Sequence, residues 1–415
     1  MPPTAHTTPE FPTRLSVADA RLRVRALCAE RGLPHEVVAL EAALGRVLAE
    51  DIHAPADVPA FANSAMDGYA LSGADLPNEG SRGFRLAGAV LAGASAIPRC
   101  GAGECVRITT GAPLPPGADT VVVKENVRVD GETIVVAAGE TIGANVRPAG
   151  EDYRSGELAA RIGTQLTPAQ LGVIASCGRA GVHVARRPRV ALFVTGDELV
   201  APGRTLGFGQ IHDSNRYSLG ALLRQLGIEP EPVAHLRDDP ATIRSALRDA
   251  GERCDVIVSS GGVSAGEADY LPRLVTELGR VHFWKVRMKP GMPVLCGEVG
   301  AALVFALPGN PVSTIATFLM FVRPALLALQ GAGAPGPSIL KARLATAIAK
   351  KHDRTEFLRA SVASRDDGAL WASVLPKQGS GMLRGVAEAD ALVIVPEQVH
   401  AIAEGDVVDL LSLPG

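Results

Sequence analysis

Aromatic side chains are scarce in this sequence, at 4% of 415 residues, while 47% are hydrophobic. Its cores must be built from Ala, Val and Leu, and the length suggests about three domains. A surplus of either charge is also missing. With 41 basic and 44 acidic residues the formal charge is −3, so no global field draws the chain to nucleic acid or an anionic membrane. Any anion site must be a local cluster of Lys and Arg. The six cysteines form no C-x-x-C, and the nine histidines no H-x-x-x-H or H-x-H pair, which excludes a zinc ribbon and leaves buried free thiols. The N-terminus lacks a basic-then-apolar signal pattern, and no apolar run reads as membrane length. A cytoplasmic protein is expected.

What is present changes character along the chain. Residues 1–14 are rich in Pro and Thr and are expected to fray. Ser16 suits the cap of a helix running to residue 30, and a second helix is expected at residues 40–47. From about residue 57, short β-prone runs alternate with Gly and Pro, at residues 84–86, 105–108, 120–124 and 133–137. This reads as a β-rich domain inserted into a helical one. The helical part resumes near Asn145, with Pro168 suited to a first helical turn.

From Arg189 strands and helices alternate. Strands are expected at residues 190–194, 232–236, 256–259, 281–286 and 302–306, and helices at 217–226, 240–249, 270–278 and 311–329. That pattern is a doubly wound, mostly parallel α/β sheet, whose ligands bind at the C-terminal ends of strands. Its first strand carries no G-x-G-x-x-G, which argues against a nicotinamide dehydrogenase. Gly331, Gly333, Pro335, Gly336 and Pro337 punctuate a linker, and the remainder is again β-rich, with a barrel-like C-terminal domain expected. The domain expectation is 1–56 with 145–187, inserted 57–144, then 188–330 and 331–415.

Motifs cluster at the strand ends. After the strand at 256–259 comes Ser259-Ser260-Gly261-Gly262-Val263-Ser264-Ala265-Gly266-Glu267-Ala268-Asp269-Tyr270. Glycines let such a turn bring its N–H groups to an oxyanion, and the following helix start adds donors. Ser260 and Ser264 can donate to phosphate oxygens. A carboxylate beside a phosphate needs a cation between them, so Asp269 points to Mg²⁺. Thr195-Gly-Asp-Glu-Leu199 ends the first strand, where adjacent acids need a metal, a partner or water. Asp238 is nearer the next strand end than Asp239, which reads as a helix cap. Ser214 or Asn215 reads as a cap as well. Strand alternation places Lys285, Arg287 and Lys289 on one face, a cluster that calls for an anion. Leu307-Pro-Gly-Asn-Pro-Val-Ser313 joins strand to helix with N–H groups suited to a phosphate.

Seven ordered segments then acquire a common meaning: Asn63-Ser-Ala-Met-Asp-Gly-Tyr-Ala70, Thr110-Gly-Ala-Pro113, Gly150-Glu-Asp152, Thr195 to Leu199, Ser260 to Tyr270, Lys289-Pro-Gly291 and Leu307 to Ser313. Together they resemble the molybdopterin molybdenumtransferase family, and also its relative, the C-terminal domain of gephyrin, over residues 15–413. The resemblance implies four domains per subunit and an elongated homodimer with the active site between subunits. It implies insertion of molybdate into adenylylated molybdopterin, with Mg²⁺ assisting release of AMP. Further implied partners are the adenylyltransferase and the recipient molybdoenzymes. The family's catalytic residues fall on Asp67, Thr110, Asp152, Glu198, Asp238 and Asp269, the last three as metal ligands. Substrate and anion binding falls on Arg147, Ser260, Gly261, Gly262, Ser264, Lys285, Lys289, Pro308, Gly309 and Asn310. The sequence departs from the family pattern at Ala62, at Pro148 and Ala149, and at Met292, each of which removes charge.

Overall fold

The computed structural model describes residues 11–231, 233–264 and 269–413. At its centre lies a seven-stranded sheet in the order Thr13–Leu15, Gly279–Val286, Leu295–Val299, Ala302–Leu307, Val256–Ser260, Val190–Thr195, Ala234–Leu236. Only Leu295–Val299 runs against the others. The three central strands are buried along their whole length, as expected when helices cover both faces of a parallel sheet. Alternation divides their side chains. Val190, Leu192, Val256, Val258, Leu303 and Phe305 face one core. Ala191, Phe193, Ile257, Val304 and Ala306 face the other.

Helices Asn215–Gln225, Pro311–Leu329 and Val17–Ala29 cover the first face. Pro240–Arg253 and Leu271–Leu278 cover the second. Contrary to the sequence reading, Pro311–Leu329 is long and apolar enough to cross a bilayer by length and composition; 78% of its tested window is nevertheless buried inside the protein. The sequence reading placed this helix at the same bounds, and Ser313, Thr314, Thr317 and Arg323 interrupt its apolar run. Its middle, Phe318–Val322, is π-helical. Pro324 follows after Arg323, and a wider turn relieves the ring clash and lost N–H bond that proline imposes on an α-helix.

Three expectations changed. Residues 40–47 are not a helix: only Leu40–Ala42 makes a 3₁₀ turn. Gly45 at φ 73° stops helical continuation, and the flanking His35–Ala39, with β-branched Val37 and Val38, pairs with Gly181–Ala185. Part of the stretch expected to fray, Thr13–Leu15, extends the central sheet beside Gly279–Val286. Leu295–Val299, an apolar strand absent from the sequence reading, pairs between two strands that were anticipated.

Residues 57–144 hold a six-stranded sheet with Gly68–Leu71 between Thr120–Val123 and Glu104–Ile108. A Cβ at Gly68 would run into the Val122 carbonyl, so only glycine permits that close pairing. In the C-terminal region Thr355–Ser364, Leu370–Val374, Ile339–Leu344, Val407–Ser412 and Ala391–Val395 close into a five-stranded barrel. Met288–Lys289 pairs with Thr355 and Glu356, joining barrel and central sheet. The six cysteines are buried and unpaired. Burial pushes the thiols of Cys28, Cys105 and Cys254 up to about 12, so they pack as small hydrophobes.

Candidate functional site

The C-terminal ends of the central strands open into a cleft of about 990 Å³. Val190–Thr195 delivers Glu198 to its wall, Ala234–Leu236 delivers Asp238, and Val256–Ser260 delivers the glycine turn and Asp269. Ala302–Leu307 delivers Pro308, Gly309 and Asn310. Parallel strands ending together are what bring residues far apart in sequence to one rim.

The turn is built by close approach. Gly261 and Gly262 take φ of 93° and 64°. A Cβ at Gly261 would lie 2.6 Å from the Thr195 carbonyl oxygen, so a side chain is excluded there. The Gly261 N–H donates to Leu307 O at 3.1 Å, which closes the turn against its neighbour. Asn215 fastens both turns: its Nδ2 donates to Ser260 Oγ at 2.8 Å and to Gly309 O at 2.7 Å. Of the two cap candidates, Ser214 takes the cap position without a side-chain bond and Asn215 opens the helix, while the Asp213 carboxylate accepts from the Arg216 N–H at 3.0 Å. No single-residue signal in the sequence marks Asn215 as a brace between two loops. Asp239, by contrast, caps its helix by accepting from Thr242 N at 2.8 Å.

The acids are crowded. Burial raises the Asp238 carboxyl above its ordinary value, and the charges of Asp197, Glu198 and Asp269 raise it further, against one backbone N–H bond from Asp197. Hard carboxylate oxygens that repel one another fit a divalent cation by chemistry. They are not drawn into a ligand shell: among the described residues no three His, Cys, Asp or Glu converge closely enough to hold a metal ion. Glu267 lies outside the described residues.

The cationic face anticipated from strand alternation does not form. Lys285 adopts φ 64°, which breaks the alternation after Trp284. Its ammonium lies 4.2 Å from the centre of the Trp284 ring, and the Trp284 indole N–H donates to Val263 O at 3.0 Å, behind the glycine turn. Arg287 turns to the barrel and meets Glu397 at 2.9 Å. Lys289 meets Glu356 at 2.8 Å. Neither Lys285 nor Lys289 lines the cleft itself. Of the N–H groups expected to greet a phosphate after Pro311, that of Val312 donates to Ser380 O in the barrel.

The remaining candidates lie elsewhere. Thr110 donates its N–H at 2.9 Å and its hydroxyl at 3.0 Å to Asp67 Oδ1. Lys124, absent from the sequence reading, stands 3.6 Å from Asp67 Oδ2. The Thr110 N–H bond above all, then its hydroxyl and the Lys124 charge, holds the Asp67 carboxyl below its usual range. Arg147 pairs through its backbone with Asn63, and the Asp152 N–H donates to Val58 O at 3.0 Å. None of Asp67, Thr110, Arg147 and Asp152 lines the strand-end cleft.

Comparison with known proteins adds an independent line. Three family profiles match in order: MoeA N-terminal region (domain I and II) over residues 15–178, probable molybdopterin binding domain over 191–328, and MoeA C-terminal region (domain IV) over 341–413. The chain is 34% identical to the molybdopterin molybdenumtransferase of Haemophilus influenzae over 377 residues, covering 90% of this chain and 93% of that one. It is 34% identical to the protein of the same name from Nostoc, covering 91% and 89%. A crystal structure of the molybdopterin biosynthesis MoeA protein from Pyrococcus horikoshii superposes with a TM-score of 0.80 at 29% identity, over 96% of this chain and 100% of that one.

Proposed function

The chain belongs to the molybdopterin molybdenumtransferase family, and on that premise we propose that it inserts molybdate into adenylylated molybdopterin with Mg²⁺-dependent release of AMP. It is a transferase of molybdenum cofactor biosynthesis. The observation that carries the finer reading is the cleft in which Glu198, Asp238 and Asp269 stand at the same rim as the glycine turn.

In this reading the Gly262 N–H and the Ser264 hydroxyl bind the terminal phosphate of the pterin, Ser260 and Gly261 hold the turn in shape, and Pro308, Gly309 and Asn310 wall the adjacent side. Glu198, Asp238 and Asp269 are the residues that would hold Mg²⁺. When bound, the cation supplies charge neutralisation and a template for the departing AMP. The three carboxylates keep that charge on the pyrophosphate side of the cleft, and Asn215 holds the two turns at a fixed spacing. Lys285 and Lys289 attract molybdate. Asp67, Thr110, Arg147 and Asp152 complete the site from the second subunit of a homodimer. Recipient molybdoenzymes and the adenylyltransferase are the proteins with which such an enzyme exchanges product and substrate.

The test is one assay. Purified protein with adenylylated molybdopterin, Mg²⁺ and molybdate should release AMP and reconstitute an apo-molybdoenzyme. Consumption of ATP with molybdopterin would point to adenylylation instead. Neither activity would point to a scaffold that keeps the fold without the chemistry.

A further inference from the structure

Two of the apolar residues in the wall of the strand-end cleft, Val194 and Val263, are buried. Leu199 and Ile211 also line the cleft, yet Leu199 is only partly buried and Ile211 is 54% exposed. They belong to the two-residue strands Leu199–Val200 and Ile211–His212, which pair in parallel with Leu199 opposite Ile211. Register partners put their side chains on the same face of a ladder. That face is turned to the cleft, and Val200 on the other face does not line it. One exposed isoleucine is ordinary, but two paired aliphatic side chains facing a cleft make a surface for a flat apolar ring.

The ladder is tied to the acids. Leu199 follows Glu198 in the chain, and the Ile211 N–H donates to Glu198 O at 2.9 Å. The Asp213 N–H fixes the second strand by donating to Val200 O at 3.0 Å. Among the described residues, the hydrogen bonds of the intervening loop, 201–210, stay within it, from Arg204 to Ala201 and between Gly207 and Gln210. The ladder and not the loop therefore sets the two side chains. Adjacent strands order the rim as Pro308, then the glycine turn, then Glu198, then Asp238. A pterin phosphate in the glycine turn puts the adenylate half on the Glu198 side, where this aliphatic face begins.

We propose that the Leu199–Ile211 face is the seat of the purine ring of the adenylate half, holding the departing nucleotide by its ring while the acids face its phosphate. This rests on the adenylylated-pterin reading above.

Equilibrium dialysis of AMP and of ribose 5-phosphate against the full-length protein, each with Mg²⁺, isolates the seat, because the two share the phosphate and only AMP carries the ring. AMP binds the wild-type protein at least about 10-fold tighter than ribose 5-phosphate. Ile211→Ser, at a half-exposed position, lowers AMP affinity at least about 5-fold and leaves ribose 5-phosphate where it was. Leu199→Ser does the same, and decides the matter if the melting curve shows that the first variant fails to fold. Phe208→Ala removes a fully exposed ring that lies on the loop and outside the cleft wall, so both affinities stay unchanged. Equal wild-type affinity for the two ligands overturns the seat, and so does unchanged AMP binding in a folded Ile211 variant. An Ile211→Ser protein that keeps its AMP affinity but sediments as a smaller particle makes the face a subunit contact instead. A loss in Phe208→Ala as large as in Ile211→Ser puts the ring on the loop tip and overturns the assignment to the ladder. If the wild-type protein releases no AMP from adenylylated molybdopterin, the adenylylated-pterin reading falls and the seat with it, whereas AMP release without any preference for the ring overturns the seat alone.

Discussion

Two carboxylate sites in this molecule are wired in opposite senses. At the strand-end cleft, Asp238 is partly buried beside Asp197, Glu198 and Asp269, and its carboxyl is pushed upward. Beside the six-stranded sheet of residues 57–144, Asp67 has a backbone N–H, a hydroxyl and a lysine to itself, and its carboxyl is drawn downward. The first is an acid site short of positive charge. The second is already satisfied. Local repulsion kept at one rim of a fold is a stored preference for a cationic ligand, whereas a satisfied carboxylate is fixed in place and can only orient something else.

The largest effect that tests this contrast is on activity. Asp269→Asn or Glu198→Gln should lower AMP release at least about 100-fold, roughly 2.7 kcal/mol of barrier. Because Glu198→Gln relieves repulsion on Asp238, its melting temperature should stay level or rise. Asp67→Asn should lower it slightly, because an amide accepts less well from Thr110. A fall in melting temperature for Glu198→Gln as large as that for a core substitution would show that the cleft acids serve the fold rather than the ligand.

Next in size is the turn itself. Gly261→Ala forces a side chain into the left-handed region at φ 93° and against the Thr195 carbonyl. It should cost about 2 kcal/mol of stability, read by urea unfolding, together with most phosphate affinity. An unchanged midpoint would mean that the turn relaxes freely and that its N–H groups are not set by packing.

Much of this was readable from residues, though not all by the same means. The buried strands Val190–Thr195, Val256–Ser260 and Ala302–Leu307 announce themselves as short apolar runs bounded by Gly and Pro, and the acids after them follow from where such strands end. What failed depended on backbone conformation or on distant partners. One left-handed residue, Lys285, undid the alternation that grouped it with Arg287 and Lys289. The partners Glu356 and Glu397 lie in a different domain, more than 65 residues away, at separations that no local pattern encodes. Lys124 was hidden for a similar reason: it follows the strand that pairs with Gly68, so only the register Gly68↔Val123 brings it to Asp67.

A smaller effect comes from adding the cation. Mg²⁺ at 100 times its dissociation constant should stabilise the wild-type protein by about 2.7 kcal/mol, and Asp238→Asn should remove most of that gain. The pH dependence has a definite sign. With its folded pKa raised, Asp238 costs stability as pH rises from the ordinary aspartate value through the raised one, because the fold then carries a charge it disfavours. Mg²⁺ should cancel that loss, and its affinity should fall as pH drops through the same window, where protons compete for the carboxylate. Thermal melts with and without Mg²⁺ between pH 4 and 8 read both effects, and a gain from Mg²⁺ that survives in Asp238→Asn would move the cation elsewhere.

The smallest effect sharpens the satisfied side of the comparison. Thr110→Ala deletes the hydroxyl bond to Asp67 but keeps the backbone N–H bond, which is the larger of the two influences on its carboxyl. The Asp67 carboxyl should therefore rise only part of the way toward its ordinary value, as read by an NMR titration of its side-chain carbon. Since the folded pKa lies below the unfolded one, the stability this carboxylate contributes is present above the unfolded value and is lost as pH falls through the folded value. In Thr110→Ala that loss should begin at a higher pH, while the Asp238 titration stays where it was, because the two acids occupy separate sites. If Asp67 titrated above the ordinary aspartate range in the wild-type protein, it too would be a crowded acid, and the six-stranded sheet would have to be counted as a second place that waits for a cation.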